Sequence, residues 1–161
     1  MRHGLPSSPE EFWALYLDPE FTVQMHLEGL GSTSAEVTAQ SGSPTQGLSR
    51  TLRYGQRPDA PGPVKKIFGE EIVTTETGSY DPEASAFCFT VVPGTMADKT
   101  AISGPITVED APEGCTKSFS LEARVKIFGV GPVVERFIEA QARRTQDQAA
   151  AFMRAALGPR R

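Results

Sequence analysis

The chain has 161 residues, a net charge of −4, and a composition that is 39% hydrophobic and 22% charged. This length predicts a single domain over residues 1–161. No run of about 18 apolar residues is present, which argues against a membrane-spanning helix. The acidic balance, without a basic stripe, argues against a nucleic-acid partner.

The start of the chain, MRHGLPSSPEE, is too polar for a signal peptide, so the sequence predicts a cytoplasmic protein. The two cysteines, Cys88 and Cys115, lie far apart and match no metal-ligand spacing. We therefore expect both to be buried thiols in a reducing compartment. The two histidines, His3 and His26, belong to no ligand cluster either, so no metal site is predicted.

Two short helices are predicted after a short first strand in MRHGL. In SSPEEFWALYLD, Ser8 is a good N-cap and Glu11 completes a capping box. In DPEFTVQMHLEGLG, Asp18 is the cap, and Gly29 or Gly31 ends the helix.

From about residue 33 the hydrophobic period changes to two, which predicts roughly six antiparallel strands. The segment ASAFCFTVV is nearly all apolar, as in a central strand that is buried on both faces. TAISGPITVED is interrupted by Gly104 and Pro105, which indicates a bulge or an edge. SFSLEARVKI alternates strictly, as in a strand with one covered and one wet face.

A strand pattern then passes through Gly129-Val130-Gly131 into a long helix, from about Pro132 to Leu157. This corner lacks the third glycine of a dinucleotide-binding loop and the Lys-Ser/Thr pair of a P-loop. We interpret it as a strand-to-helix corner and predict no cofactor. Helices on one face of an antiparallel sheet define the α+β class, and a curved sheet around one long helix is a helix-grip fold.

The inward face of the long helix has apolar ends and a polar middle. A buried amide without a partner costs about 1–3 kcal/mol. The polar middle consists of Gln141, Thr145 and Gln148. These residues either bond to neighbouring strands or lie at an open edge, or they border a cavity that holds water or a polar group of a ligand. The residues of this face proposed for the cavity are Val134, Phe137, Ile138, Gln141, Thr145, Gln148 and Phe152.

Three segments resemble the bacterial DUF2505 family: SPEEFWALYLDPEF, PVKKIFGEE and VKIFGVGPVVERFIE. That family belongs to the START-like (SRPBCC, Bet v 1-like) superfamily and is similar to the VASt lipid-binding domains. The resemblance implies a curved antiparallel sheet of about seven strands and two short N-terminal helices. It also implies a long C-terminal helix over a hydrophobic cavity. It carries over no catalytic residue, and the first strand is short for this pattern.

Further cavity residues are proposed from the strands: Phe87, Phe89, Phe119, Leu121, Arg50 and Tyr54. Arg50 and Lys117 are each in phase with apolar strand residues. Each either lies at a strand end or in an outward register, or it anchors an anionic head group inside a cavity. A buried charge would then need a partner.

A candidate lid follows a Pro/Gly-rich loop and consists of Val64, Lys65, Lys66, Ile67 and Phe68. Its two lysines would give about 2 kcal/mol of attraction to an anionic membrane, so any such contact is transient.

The predicted function is binding of a hydrophobic small molecule or lipid, for transport, sequestration or sensing. One alternative is an enzyme that acts on a hydrophobic substrate in the same cavity. The other is a protein-interaction module with a filled core. The sequence leaves the oligomeric state open.

Overall fold

The computed structural model describes residues 1–159 and contains a curved antiparallel sheet with helices on one face. The strand order is β1-β7-β6-β5-β4-β3-β2, and β8 pairs with the first half of β6. The strands are β1 (Arg2–Leu5), β2 (Ser34–Ser43), β3 (Gly47–Gln56), β4 (Ile72–Asp81), β5 (Ala86–Pro93), β6 (Thr100–Ala111), β7 (Gly114–Phe119) and β8 (Glu122–Val125).

Within residues 1–159, four α-helices accompany the sheet: α1 (Pro9–Tyr16), α2 (Pro19–Gln24), α3 (Gly62–Phe68) and α4 (Gly131–Leu157). A π-helical turn (Met25–Gly29) extends α2, and a short 3₁₀ turn (Ala97–Lys99) precedes β6. The predicted α+β helix-grip class is confirmed. None of the helices within residues 1–159 is long and apolar enough to cross a membrane.

The predicted helix caps are confirmed. The Glu11 N–H donates to Ser8 Oγ at 3.2 Å, and the Ser8 N–H donates to Glu11 Oε2 at 2.8 Å. The Phe21 N–H donates to Asp18 Oδ1 at 2.7 Å. The π-helical turn brings Gly29 against α4, where a Cβ would lie 2.8 Å from the ring of Phe152.

The strand predicted for SFSLEARVKI is divided into β7 and β8. Ile106 pairs with Phe119 and Ser103 pairs with Glu122, so the register is the same on both sides of the interruption. Opposite the gap lie Gly104 and Pro105, and Pro105 has no N–H to donate to the ladder. In the described part of the chain the sheet therefore has eight strand segments, where the sequence predicted about seven.

Strand β5 is half-buried, and the expectation that both of its faces are covered was wrong. Phe87 and Phe89 point to the helix-covered face, which we call the inner face, whereas Cys88 and Thr90 are exposed. Cys88 is thus an exposed thiol, and only Cys115 is buried as predicted. The outer face of β5 carries no second layer within residues 1–159, because every helix there packs on the inner side.

The core consists of two clusters of buried side chains. The first contains residues of α1, among them Trp13, which packs edge-on against Phe12. The Nε1–H of Trp13 donates to Ser85 Oγ at 2.8 Å. The second lies beneath α3 and contains Val64, Phe68, Val125 and Val134.

The corner before α4 requires its glycines. Gly129 has a φ of 80°, and a Cβ on Gly131 would lie 2.6 Å from the carbonyl oxygen of Val125. The predicted strand-to-helix corner is therefore observed.

Candidate ligand-binding cavity

A cavity of about 180 Å³ lies between the inner face of the sheet and α4. Strands β3 to β7 line one side and α4 lines the other, with side chains added from the π-helical turn and α3. An engineered apolar cavity of about 150 Å³ binds benzene. The space is therefore sufficient for at least a small organic molecule.

Most of the lining is apolar. Phe89 and Phe119 are stacked with ring centroids 5.5 Å apart and planes 9° apart, and Ile102 and Ile106 are buried beside them. Ile138 contributes from α4. Such a surface favours an apolar ligand, because water gains little from contact with it.

Nine of the residues proposed for the cavity from the sequence line it. The strands contribute four of them, the link between β7 and β8 contributes one, and α4 contributes four: Arg50, Tyr54, Phe89, Phe119, Leu121, Phe137, Ile138, Gln141 and Thr145.

Four others do not line it. Val134 and Phe87 are fully buried within the packed core clusters. Phe152 packs against the ring of Phe21, with centroids 5.7 Å apart. Gln148 is exposed on the outer surface of α4.

The error at Gln148 has a geometric cause. Ala142, Gln146 and Ala149 line the cavity in addition to the predicted α4 residues, and Met153 is fully buried further along. On a wheel of 100° steps with Phe137 at zero, these four residues lie between about 120° and 180°, whereas Gln148 lies at about 20°. The inward face rotates along α4 because the sheet that it contacts is twisted.

The candidate lid is helix α3. Phe68 lines the cavity, Val64 is fully buried and Ile67 is partly buried. Lys65 and Lys66 are exposed. The helix thus has one face in contact with the second core cluster and a basic face in solvent.

Arg50 is in the inward register and is only 4% exposed. Its Nη1 donates to the carbonyl oxygen of Tyr16 at 2.9 Å and to Thr22 Oγ1 at 3.0 Å. Its Nη2 lies 3.7 Å from Glu76 Oε1, and its guanidinium is 5.1 Å from the ring centroid of Phe87. The positive charge of Arg50 is therefore matched inside the protein.

Glu76 was missed in the sequence, although a signal existed. Along β4, Glu76 lies on the same side of the strand as Ile72, Thr74 and Tyr80. These three residues are buried or partly buried. Burial raises the pKa of Glu76, and the neighbouring Arg50 opposes that rise.

The titratable groups beside this pair are held in their neutral forms. Burial, and secondarily the charge of Arg50, lowers the pKa of His26 to about 4. Its Nδ1 lies 3.3 Å from Ser32 Oγ, and its ring is 4.6 Å from that of Tyr54. Burial also raises the pKa of Tyr16 and of Tyr54, and Glu76 adds to both increases. Near pH 7 this end of the cavity offers phenol and imidazole groups without charge.

Lys117 lines another part of the wall and is 1% exposed. Its Nζ donates to Oε1 of Gln146 on α4. Burial lowers the pKa of Lys117 to about 8. The inward register of Lys117 and Arg50, which the sequence left open, is thus observed for both.

Within residues 1–159, no group of three or more His, Cys, Asp or Glu side chains is arranged to hold a metal ion. The polar groups of the cavity can donate and accept hydrogen bonds around an apolar body. They are suited to orienting a bound molecule.

The whole architecture is similar to that of several solved structures. TTHA0849 from Thermus thermophilus superimposes with a TM-score of 0.69 at 17% identity, covering 98% of this chain and 97% of that one. Ara h 8.0201 superimposes with a TM-score of 0.65 at 12% identity, and the match covers 95% of this chain and 94% of that one. The Zhui aromatase/cyclase from Streptomyces sp. R1128 superimposes with a TM-score of 0.62 at 11% identity, and the match covers 98% of this chain and 93% of that one. The chain therefore has the helix-grip fold of START-like, Bet v 1-like proteins.

The family follows from the sequence match. The model of the family described as "Protein of unknown function (DUF2505)" matches residues 1–157, and the chain belongs to this family. A search of curated proteins gives no match.

Proposed function

We propose that this protein binds a hydrophobic small molecule or a lipid in the cavity, for transport, sequestration or sensing. The observation that supports this most strongly is the mainly apolar cavity between the sheet and α4. Apolar surface that lines such a space is unfavourable in contact with water, and a bound apolar molecule would remove it from water. The same space argues against the protein-interaction alternative, which requires a filled core.

Native mass spectrometry of the freshly purified protein, followed by solvent extraction, tests this proposal directly. A hydrophobic molecule that co-purifies would support binding, and its mass would identify its class. Repeated preparations without any bound species, together with no binding of an apolar probe, would contradict the proposal.

A matched pair of substitutions on α4 provides the second test. Ala142 lines the cavity, whereas Ala140 lies on the exposed face of the same helix. We expect Ala142→Trp to fill the space and weaken binding of the neutral fluorophore N-phenyl-1-naphthylamine by at least about tenfold, since the indole takes the place of the ligand. Ala140→Trp should bind the fluorophore as the wild type does.

A second candidate function is catalysis on a hydrophobic substrate in the same cavity. It is favoured by the buried group of Tyr16, Tyr54 and Glu76, whose pKa values are all raised. The helix-grip neighbour named as an aromatase/cyclase agrees with this alternative. Returning an extracted compound to the apo protein separates the two candidates, because a carrier releases it with its mass unchanged and an enzyme changes its structure.

The lid is also part of the proposal. We place ligand entry at α3, because Phe68 lines the cavity while Lys65 and Lys66 face solvent. Any contact of these two lysines with an anionic membrane during entry would be transient.

A further inference from the structure

The cavity wall contains a buried amine without a counter-charge. Lys117 is 1% exposed, and within residues 1–159 its side chain has a single hydrogen-bond partner, the neutral amide of Gln146. None of the ion pairs among those residues includes it. An ammonium group carries three donors, so the amide satisfies only part of its capacity.

Arg50, the other cation of the lining, has a carboxylate beside it. Arg50 has Glu76 beside it and two further oxygen acceptors, as described above. The charged lining therefore contains two cations and one carboxylate, and the carboxylate is placed at Arg50. An uncompensated buried charge is costly, so the wall at Lys117 lacks one negative charge.

The neighbourhood of Lys117 shows where the rest of a ligand would lie. Phe119 and Leu121 follow it on the same face and both line the cavity. Two residues of a strand advance about 6.8 Å. A polar head at Lys117 would thus be followed by an apolar wall over about 13 Å, the length of four residues, with Phe89 stacked on Phe119.

We propose that the ligand of this cavity is an apolar molecule that carries a carboxylate, and that Lys117 binds this carboxylate. The proposal rests on the proposed function and narrows it to acids. The carboxylate supplies the negative charge that the protein does not place beside Lys117. The apolar body lies along Phe119 and Leu121, away from the matched pair of Arg50 and Glu76.

The protonation of Lys117 provides a way to observe this contact. Burial lowers the pKa of its amine to about 8, so the charge that attracts an acid is lost above that pH. The groups around it are few. His3 is its partner in the β1 register and contacts Asp147 at 2.8 Å, Val108 on β6 is apolar, and α4 contributes Gln146.

The experiment compares two competitors that differ only at the head group. N-phenyl-1-naphthylamine is the neutral reporter, and decanoic acid and 1-decanol are titrated to displace it at pH 7. We expect the wild type to bind decanoic acid at least about tenfold more tightly than 1-decanol, as a charge-assisted hydrogen bond in a buried site provides. Lys117→Met should remove this preference and leave the 1-decanol affinity within about twofold, since a bound alcohol makes no ion pair.

Lys126→Met is the matched control, because it removes one positive charge from an exposed position. It should retain the preference for the acid. Equal affinity of the wild type for acid and alcohol would overturn the proposal, as would an undiminished acid preference in Lys117→Met. In both of these results the reporter still binds, so the proposed function stands. If reporter and both competitors all fail to bind the wild type, the proposed function fails and this proposal fails with it.

The wild type alone provides an independent readout if Lys117→Met does not fold. Decanoic acid remains ionised between pH 7 and pH 9.5, whereas Lys117 loses its proton in that range. The acid preference should therefore decrease with rising pH, and the 1-decanol affinity should remain constant. A preference that is the same at both pH values would overturn the proposal.

Discussion

At the scale of single residues, the interior contains more ionisable groups than a filled core would accept. Arg50, Glu76, His26 and Lys117 all border the cavity. Arg50 and Glu76 form a pair, and His26 is neutral near pH 7. Lys117 donates to the side-chain amide of Gln146. Buried charge is tolerated only under such conditions, so the stability of this protein should depend on pH and on keeping the pairs intact.

His26 should make the fold sensitive to mild acid. Its pKa is about 4 in the folded state and about 6.5 in an unfolded chain. Between these values the unfolded chain takes up a proton that the folded one does not, so the free energy of unfolding decreases as pH falls from 6.5 to 4. The loss from this group is about 3 kcal/mol.

Urea unfolding of the wild type and of His26→Gln at pH 7 and pH 4 measures this effect. The difference between the two proteins should shift by about 3 kcal/mol in favour of the variant at pH 4. A constant difference at both pH values would show that the pKa of His26 is the same in the folded and the unfolded protein.

The pair of Arg50 and Glu76 should behave as a unit. Arg50→Met leaves Glu76 buried without its partner, and breaking a buried pair in this way costs about 3–5 kcal/mol. The double variant Arg50→Met, Glu76→Gln should recover part of that loss, because no charge then remains unpaired. Urea unfolding of the two single variants and the double variant gives the coupling energy, and purely additive effects would mean that the two side chains do not interact.

At the scale of elements, the cavity joins rigid walls to one weakly held helix. The strands β3 to β6 are each hydrogen-bonded to neighbours on both sides. In contrast, α3 has seven residues, and only Val64 and Phe68 of them are buried. A short helix of this kind has little stability of its own and depends on those packing contacts.

Hydrogen exchange should therefore distinguish α3 from the sheet. We expect its amides to exchange much faster than those of β4 and β5 in the empty protein, and to slow when N-phenyl-1-naphthylamine occupies the cavity, because a ligand against Phe68 stabilises the closed position. Exchange measured by mass spectrometry checks this. If α3 is as protected as the central strands without ligand, it is part of the wall and does not act as a lid.

The elements that follow from local rules were predictable from the sequence. Ser8 and Glu11 define the start of α1 through their own hydrogen bonds, and Gly131 is required at the corner before α4. The errors concern features that depend on distant parts of the chain. The rotation of the inward face away from Gln148 reflects the twist of the sheet, and the exposure of Cys88 reflects the lack of a second layer over β5 within residues 1–159. Glu76 shared its phase with Ile72 and Tyr80, but only the structure shows that Arg50 is its partner.

At the scale of the whole molecule, the two walls of the cavity come from separate parts of the sequence. One wall is built by consecutive strands, and the other by α4, which follows all of them along the chain. The sheet is also extended at one edge by β1, in which Arg2 pairs with Ser118 and Leu5 with Cys115. Neither feature can form from a local stretch of chain.

This pairing of β1 with β7 has a consequence for biosynthesis. On the ribosome, the first strand has no partner until more than a hundred residues have followed it, and such distant pairings are slow to form. Because α4 follows all the strands in the sequence, the wall that it forms is added only after the last strand has been made. A small molecule can therefore find the complete pocket only after α4 has been made, and its binding then stabilises the folded state.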